Sequence, residues 1–488
     1  MNERQLHAAA ALLSAAFPRA TELGDLFAAA GHELALVGGP VRDVFLGRRP
    51  GDLDLTTDAP PERVLEIVDG WADQVWTIGI EFGTVGVRKG RAVLEITTYR
   101  SERYDRASRK PVVAYGTSLE DDLGRRDFTV NAMAARLPAY ELVDPFGGLA
   151  DIQHKLLRTP GTPESSFTDD PLRILRAARF TAQLGFTVTA ETRQAMADLA
   201  GLLAPPKVSA ERISAELSKL MLSPLPGGPA SGIALMVDTG VADVILPEVP
   251  RLRLESDEHY RHKDVYHHTL TVLNQAIELE PRYQLEQDLI LRLAALLHDI
   301  GKPRTRSRLP DGRVAFHHHE VVGAKMARKR LSELRFSKEV VADVSRLVEL
   351  HLRFHGYGDG EWTDSAVRRY VTDAGPLLTR LHGLTRADCT TRNMAKALRL
   401  ERAYDDLEQR IAELGKQEEL ARIRPDLNGD EIMALLGIPP GPVVGKAYRF
   451  LLDLRMEHGP LGHDRAVQEL LRWGTSEGIE PPTPRPAE

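Results

Sequence analysis

Residues 37–57 read VGGPVRDVFLGRRPGDLDLTT. Asp52 and Asp54 stand two apart, a spacing that on a strand turns both side chains to one face. Two carboxylates side by side repel each other unless a cation lies between them. Mg²⁺ binds through one or two carboxylates together with substrate phosphates. Just upstream, Gly38 and Gly39 let the backbone approach a ligand closely. Pro40 suits a first helical turn, and Gly47 is placed to end that helix. The N–H groups at a helix start favour an anion such as a triphosphate. A phosphate cradle beside a carboxylate pair is a layout for metal-assisted phosphoryl chemistry. D-x-D alone reads as an edge strand with solvated acids; the order Gly-Gly, helix, D-x-D favours the site.

A third carboxylate is Glu95. In RAVLEITTYR (91–100) the pattern alternates, putting Val93, Glu95 and Thr97 on one face and Leu94 and Ile96 on the other. A solvated strand face accounts for Glu95 almost as well.

The chain has 488 residues, 42% hydrophobic and 27% charged, which predicts two to four domains with sizeable cores. A single cysteine, Cys389, excludes a disulfide framework and fits a reducing cytoplasm. The net charge of −7 gives no global basicity, so any nucleic-acid surface must be local. No apolar run reaches the length of a membrane span. The apolar N-terminus carries Glu3 where a signal peptide needs positive charge, so it reads as an amphipathic helix on the first domain.

Along the chain, LALVGG, DLDLTT, GTVGVRK and AVLEITTYR are short strand signals between turns, predicting a mixed or antiparallel sheet within 34–158. After about residue 165 helical periodicity takes over. RSRLPDGRVAFHH breaks it with a hairpin or loop around Pro-Asp-Gly. The Pro-rich end reads as disordered.

The stretch 34–57 resembles the first motif of the polymerase-β nucleotidyltransferase superfamily. It is most similar to the bacterial-type (class II) CCA-adding tRNA nucleotidyltransferases and their poly(A) polymerase relatives. Further motifs follow in the family's order: RRDFTVNAMA (125–134), DDPLRILRAARF (169–180) and ERISAELSKLM (211–221). The resemblance implies that Asp52 and Asp54 hold catalytic Mg²⁺. It also implies that Asp170 and Arg173 pair with the incoming base, an Asp accepting from the exocyclic amine and an Arg donating to the ring. On one helix, residues three apart would lie side by side, and the same pair would otherwise be an ordinary ion pair. The family usually has Glu-Asp where this chain has Asp169-Asp170, so Asp169 has no assigned role. The other candidate nucleotide-binding residues are Gly38, Gly39, Arg42, Arg125, Arg126, Asp127, Asn131, Arg176 and Arg179. Arg125 and Arg126 are assigned to phosphates, and Asp127 with Asn131 to the ribose; Asp127 read alone is equally a helix cap. Arg173, Arg176 and Arg179 form a stripe that faces either phosphate or solvent.

A second constellation begins in LILRLAALLHDIGKPRTR, where an apolar helix ends in His298-Asp299. Imidazole with carboxylate suits divalent transition metals. The order His268, His298-Asp299, Asp388 resembles the HD phosphohydrolase superfamily, which implies these as metal ligands. His319 and His351 match the added ligands of its two-metal members, with His355 an alternative to His351. The metal would be Mn²⁺, Fe²⁺, Ni²⁺, Co²⁺ or Zn²⁺, and the domain either hydrolyses phosphoesters or helps hold RNA. The segment 425–459 resembles the family's tail, which with Arg422 and Arg424 nearby serves either tRNA contact or packing.

The expected fold is α+β: a polymerase-β-type nucleotidyltransferase head with a mixed or antiparallel sheet, then an all-α remainder. Its parts are a head at 1–160, a helical neck and body at 161–255, an HD domain at 256–395, a helical tail at 396–475 and a disordered end at 476–488. The expected reaction is untemplated addition of C, C and A to tRNA from CTP and ATP. The alternatives are a poly(A) polymerase, A-only or CC-only addition, an HD phosphohydrolase with a nucleotide-binding head, and a tRNA-binding scaffold.

Overall fold

A computed structural model describes residues 3–48, 53–103, 112–115, 118–254, 264–310, 314–354, 357, 362–391, 393–418 and 424–479. Asp52, His355, Arg422 and the proline-rich end from 480 onward lie outside the described residues. The chain divides into two compact units, Met1–Pro247 and Glu248–Glu488.

Among the described residues, the first unit holds eleven strands: the parallel pair Leu156–Leu157 and Thr187–Val188, and nine before residue 144. The nine are β1 (Leu34–Val37), β2 (Leu53–Thr57), β3 (Gln74–Trp76), β4 (Thr84–Lys89), β5 (Ala92–Thr98), β6 (Arg100–Arg103), β7 (Val112–Tyr115), β8 (Ala134–Leu137) and β9 (Glu141–Val143). Seven form one sheet in the order β3-β4-β5-β2-β1-β8-β9, and β6 pairs with β7 separately. Only β2 and β5 run parallel in the large sheet; its other neighbours are antiparallel. The mixed sheet follows from chain length: β1 and β2 are joined by a single short helix, whereas β2 reaches β5 through a helix and the β3-β4 hairpin.

β1 lies inside the sheet, and all four of its residues, Leu34, Ala35, Leu36 and Val37, are buried. Strand β5 keeps the alternation of its sequence: Leu94, Ile96 and Thr98 are buried and Glu95 is exposed. The N-terminal helices Glu3–Ala16 and Pro18–Ala29 bury Leu13, Leu23 and Phe27, as an amphipathic start to the first domain should. Beyond the sheet, the helix Leu172–Leu184 packs on Ala210–Met221 and Gly228–Asp238.

The second unit is helical apart from the antiparallel pair Arg306–Arg308 and Val314–Phe316, whose turn lies outside the described residues. Its central helix, Leu289–Leu297, buries every side chain from Ile290 to Leu297. A helix apolar all round must sit inside a bundle. Around it pack Val265–Leu279, Lys338–Leu350 and Leu378–Asp388. The one charge in the central helix, Arg292, is 2% exposed and is held by both oxygens of Glu280 at 2.7 Å.

After the long helix Met394–Glu418, the last three helices, Gly429–Leu436, Pro442–His458 and His463–Ser476, share a core of Leu427, Ile432, Leu436, Leu451 and Leu470. Asn428 and Glu431 form a reciprocal capping box at the first of these. Gly437 and Gly441 break the chain between helices where the sequence has its Gly-Pro punctuation. Among the described residues, no helix is long and apolar enough to cross a membrane.

Candidate active site and metal centre

In the head, β1 delivers the chain to Gly38, whose φ of 73° and ψ of −133° are reached readily only without a side chain. Its N–H bonds the carbonyl of Met133 at 3.2 Å. A Cβ placed on Gly38 would sit 2.9 Å from Nη1 of Arg126 and 4.0 Å from Oδ2 of Asp54. The glycine therefore lets an arginine and a carboxylate close over the start of the helix Gly39–Phe45. That helix ends as the sequence implied: Gly47 N–H bonds Val44 and Arg48 N–H bonds Asp43, the paired carbonyl bonds of a Schellman stop.

β2 places Asp54 between buried Leu53 and Leu55. In register, Asp54 faces Glu95 of β5, so the two carboxylates share a face of the sheet. They line a cavity of about 320 Å³ with Thr97, Asp122, Arg125, Arg126, Asp127, Asp170, Arg173 and Arg176. The lining thus interleaves carboxylates with guanidinium groups, Asp122 pairing with Arg125 and Arg126 and Asp127 with Arg176.

Arg42, Asn131 and Arg179 sit behind this lining. Arg42 donates to Asn131 at 2.6 Å, Asn131 donates to Asp127 at 3.0 Å, and Arg176 donates through Nε to Asp127 at 2.8 Å. Burial pushes the Asp127 carboxyl up, but the Arg176 charge and the donors Asn131, Arg176 and the Phe128 N–H outweigh it and hold it below the usual carboxylate range. Asp127 and Asn131 meet each other, i,i+4 as expected, within a buried network.

Two readings need correcting. The arginine stripe is not one face: Arg173 and Arg176 line the cavity, Arg176 while paired with Asp127, whereas Arg179, 9% exposed, does not line it and pairs with Glu216 at 2.7 Å. Nor do Asp170 and Arg173 share a helix. Asp170 ends the helix Pro163–Asp169 in extended conformation, with φ −135° and ψ 98°, because Pro171 follows it. The helix Leu172–Leu184 starts only after Pro171. The Asp170 carboxylate pairs with Arg212 instead, while Arg173 donates to Ser166 Oγ at 2.9 Å and to the Arg125 carbonyl at 2.5 Å. Both side chains still reach the cavity. Asp169 is exposed at the end of the preceding helix.

Three residues of this site escaped the sequence reading: Asp122, Arg212 and Glu216. Asp122 is 1% exposed and holds Arg125 at 3.0 Å and Arg126 at 3.4 Å. Its i,i+3 and i,i+4 spacing to two adjacent arginines was the available signal.

In the second unit, six side chains from five helical segments converge. His268 lies in the first turn of Val265–Leu279, His298 caps the central helix, and Asp299 follows it. His319 begins His319–Glu333, His351 follows Lys338–Leu350, and Asp388 ends Leu378–Asp388. They fall into two sets whose ligand atoms lie within 4.8 Å of one another: His268, His298 and Asp388, and Asp299, His319 and His351. Asp299 bridges the sets. Its Oδ2 is 3.2 Å from His298 Nε2, and its Oδ1 is 3.3 Å from His319 Nε2. Within HHH, His317 and His318 are exposed and His319 is buried.

The outer nitrogens are fixed. Nδ1 of His298, His319 and His351 lies against the carbonyls of Ala295, Phe316 and Val348 at 2.9, 2.8 and 2.6 Å. A carbonyl can only accept, so Nδ1 carries the proton and Nε2 keeps its lone pair turned inward. These three Nε2 atoms are buried with no aligned hydrogen-bond partner among the described residues. That is the donor set of a divalent-metal site.

Electrostatics agree. Burial, with His298 nearby, pushes His351 down to about 3. Burial also opposes charge on His298, but Asp299 and Asp388 outweigh it and raise it to about 10. The two carboxylates require a cation, and without a metal His298 takes the proton. Lys302, which the sequence reading passed over, adds its ammonium 2.9 Å from Asp299.

Comparison with known proteins identifies the family of the chain. Residues 34–158 match the poly A polymerase head domain, 185–252 the probable RNA and SrmB-binding site of polymerase A, and 265–393 the HD domain. The A-adding tRNA nucleotidyltransferase of Deinococcus radiodurans is 36% identical over 86% of this chain and 91% of its own length. The CC-adding tRNA nucleotidyltransferase of Thermus thermophilus is 34% identical over 90% and 93%. The crystal structure of the Bacillus stearothermophilus CCA-adding enzyme in complex with CTP superposes with a TM-score of 0.68 at 25% identity, covering 95% of this chain and 98% of that one. With these three family matches, and relatives 34–36% identical over most of both chains, the chain belongs to the bacterial-type class II tRNA nucleotidyltransferases.

Proposed function

We propose that this protein adds C, C and A to the 3′ end of tRNA, taking CMP and AMP from CTP and ATP without a nucleic-acid template. The observation that carries the reading is the single cavity that joins Asp54 and Glu95 to Asp170 and Arg173. Transfer chemistry and base choice then operate on one nucleotide. Mg²⁺ held by Asp52 and Asp54 would supply charge neutralisation at the reacting phosphate. Arg125 and Arg126, aligned by Asp122, are placed to take the triphosphate. Asp127, which lines the cavity and is held from behind by Asn131, serves the ribose, and Glu95 is the third carboxylate.

Asp170 accepts from the exocyclic amine that cytosine and adenine share, and Arg173 donates to the ring. Uracil and guanine present carbonyls at that edge, which leaves acceptor against acceptor. The second unit would hold one of Mn²⁺, Fe²⁺, Ni²⁺, Co²⁺ or Zn²⁺ through His268, His298, Asp299 and Asp388, with His319 and His351 taking part in a second site. It would act on phosphoesters such as 2′,3′-cyclic nucleotides. The tail and Arg424 contact tRNA. With tRNA as substrate, the protein would work in the cytoplasm.

The test offers tRNA lacking its last three nucleotides with CTP and ATP, separately and together. CTP alone should extend the tRNA by two nucleotides, and both together by three. Extension by ATP only after a CC end is supplied would assign A-only addition, and a halt after CC with both present would assign CC-only addition. A long adenylate tract would make it a poly(A) polymerase.

A further inference from the structure

Asp170 and Arg173 are set apart from one another, and each is already engaged. The carboxylate of Asp170 is spanned by one guanidinium nitrogen of Arg212, which lies 3.2 Å from Oδ1 and 3.1 Å from Oδ2. Oδ1 also accepts the N–H of Leu172 at 3.2 Å, tying the carboxylate to the start of the next helix. A carboxylate has about four acceptor positions. Arg212 and Leu172 fill both on Oδ1 and one on Oδ2, which leaves Oδ2 one acceptor for a base. Arg212 is itself anchored: it stands in the first turn of Ala210–Met221, and its N–H bonds the capping Ser209 Oγ at 3.3 Å. Arg212 does not line the cavity, whereas Asp170 does.

We propose that Arg212 is a specificity-determining positioning residue, which fixes the plane of the Asp170 carboxylate so that a single acceptor on Oδ2 meets the exocyclic amine of cytosine or adenine. This rests on the reading of Asp170 and Arg173 as the base-reading pair. The ion pair is half-exposed, with Arg212 at 51% and Asp170 at 33%, so it adds little to stability. Its effect lies in orientation. A freely turning carboxylate offers either oxygen, or a bound water, to the base. A water can donate to the carbonyl of uracil or guanine and so rescue the wrong nucleotide.

The experiment measures kcat/KM for CTP against UTP, and for ATP against GTP, on tRNA ends awaiting each nucleotide. It compares the full-length wild type with Arg212→Ala, Arg212→Lys and Arg173→Ala. Arg212→Ala should lower both discrimination ratios about tenfold, the scale of one hydrogen bond to a charged group. The loss should come mainly from faster use of UTP and GTP. Arg212→Lys keeps the charge but puts it on a freely rotating ammonium in place of the rigid planar group that carries the spanning nitrogen, and should restore part of the ratio. If Arg173→Ala loses discrimination while Arg212→Ala keeps the wild-type ratios, the role given to Arg212 is wrong. If Arg173→Ala also keeps them, base choice lies elsewhere and the underlying reading fails first. Should Arg212→Ala not fold, Arg212→Lys alone decides: ratios equal to wild type overturn the proposal, and an intermediate loss supports it.

Discussion

Gly301 offers the sharpest test of the second site, because its side chain is excluded by backbone alone. Its φ of −75° and ψ of −23° are open to any residue, so conformational freedom is not the reason for glycine. A Cβ there would stand 2.1 Å from the carbonyl oxygen of His319 and 2.8 Å from the amide nitrogen of Gly323. Real Cβ contacts essentially never fall under 3.0 Å, so the two segments must part by roughly 0.9 Å. Neither atom belongs to a side chain that can swing away. Asp299 stands two residues before Gly301, and its Oδ1 is 3.3 Å from His319 Nε2. Metal sites tolerate ligand shifts of about 0.2 Å, several times less than the displacement required. Gly301→Ala should therefore lower transition-metal affinity at least tenfold, measured by titration calorimetry on metal-stripped protein, and cost about 1–3 kcal/mol of stability from overpacking. CCA addition by the head should survive. Gly415→Ala, at a helical position with nothing within 4 Å, is the control and should bind metal normally. A folded Gly301→Ala protein with wild-type metal affinity would refute the reasoning.

Three further outcomes are expected. Asp54→Ala should cut nucleotide addition by about 10²–10³ or more while a tRNA gel shift is unchanged, because the lost group acts on charge that builds in the transition state; near-normal addition would remove Asp54 from the chemistry. Glu280→Ala should destabilise the protein by about 3–5 kcal/mol in urea unfolding by taking the carboxylate away from buried Arg292, and adding Arg292→Met should recover most of that; a single-mutant cost below about 1 kcal/mol would mean that water reaches the pair. Thr390→Val should weaken metal binding about 10–100-fold, since Thr390 Oγ1, 3.0 Å from His268 Nδ1, takes the orienting place that carbonyls fill at the other three histidines; Thr390→Ser should restore it, and unaltered affinity in the valine variant would show that His268 needs no such partner.

What the sequence disclosed follows from the range of the forces involved. The face shared by Glu95 and Thr97 was legible because strand periodicity is local, and His298-Asp299 stood out because it ends an apolar helix; the other histidines that converge on it were singled out by the order of the motifs, not by local pattern. The misplacing of Asp170 was avoidable: the residue before a proline is driven out of the helical region, and Pro171 stands next to it. The arginine stripe was not readable in the same way. Its partner Glu216 belongs to another helix, and no local pattern links Arg179 to it. Asp122 lay between these cases, since its spacing to Arg125 and Arg126 was visible while its burial was not. Strands β8 and β9 are three or four residues long, and their sequences, AARL and ELV, carry too little β-branched character to announce themselves.

The two sites also differ in how their carboxylates meet charge, and this decides what each can do with a metal. Asp54 and Glu95 face a cavity whose other groups include Arg125, Arg126, Arg173 and Arg176. An anion entering there meets guanidinium groups and carboxylates together, so a cation is wanted most when a triphosphate brings its own negative charge. Cation and nucleotide should then bind cooperatively, and the cation should leave with the pyrophosphate. Asp299, 1% exposed, has no such alternation of states: its oxygens face the imidazoles of His268, His298, His319 and His351 and the Lys302 ammonium. The cost of a buried carboxylate set is constant, so the cation that relieves it is held constantly. A brief chelator wash should accordingly silence nucleotide addition until Mg²⁺ returns, yet leave transition metal in the second unit. Transition metal lost as fast as Mg²⁺ would show that these buried ligands exchange freely with solvent.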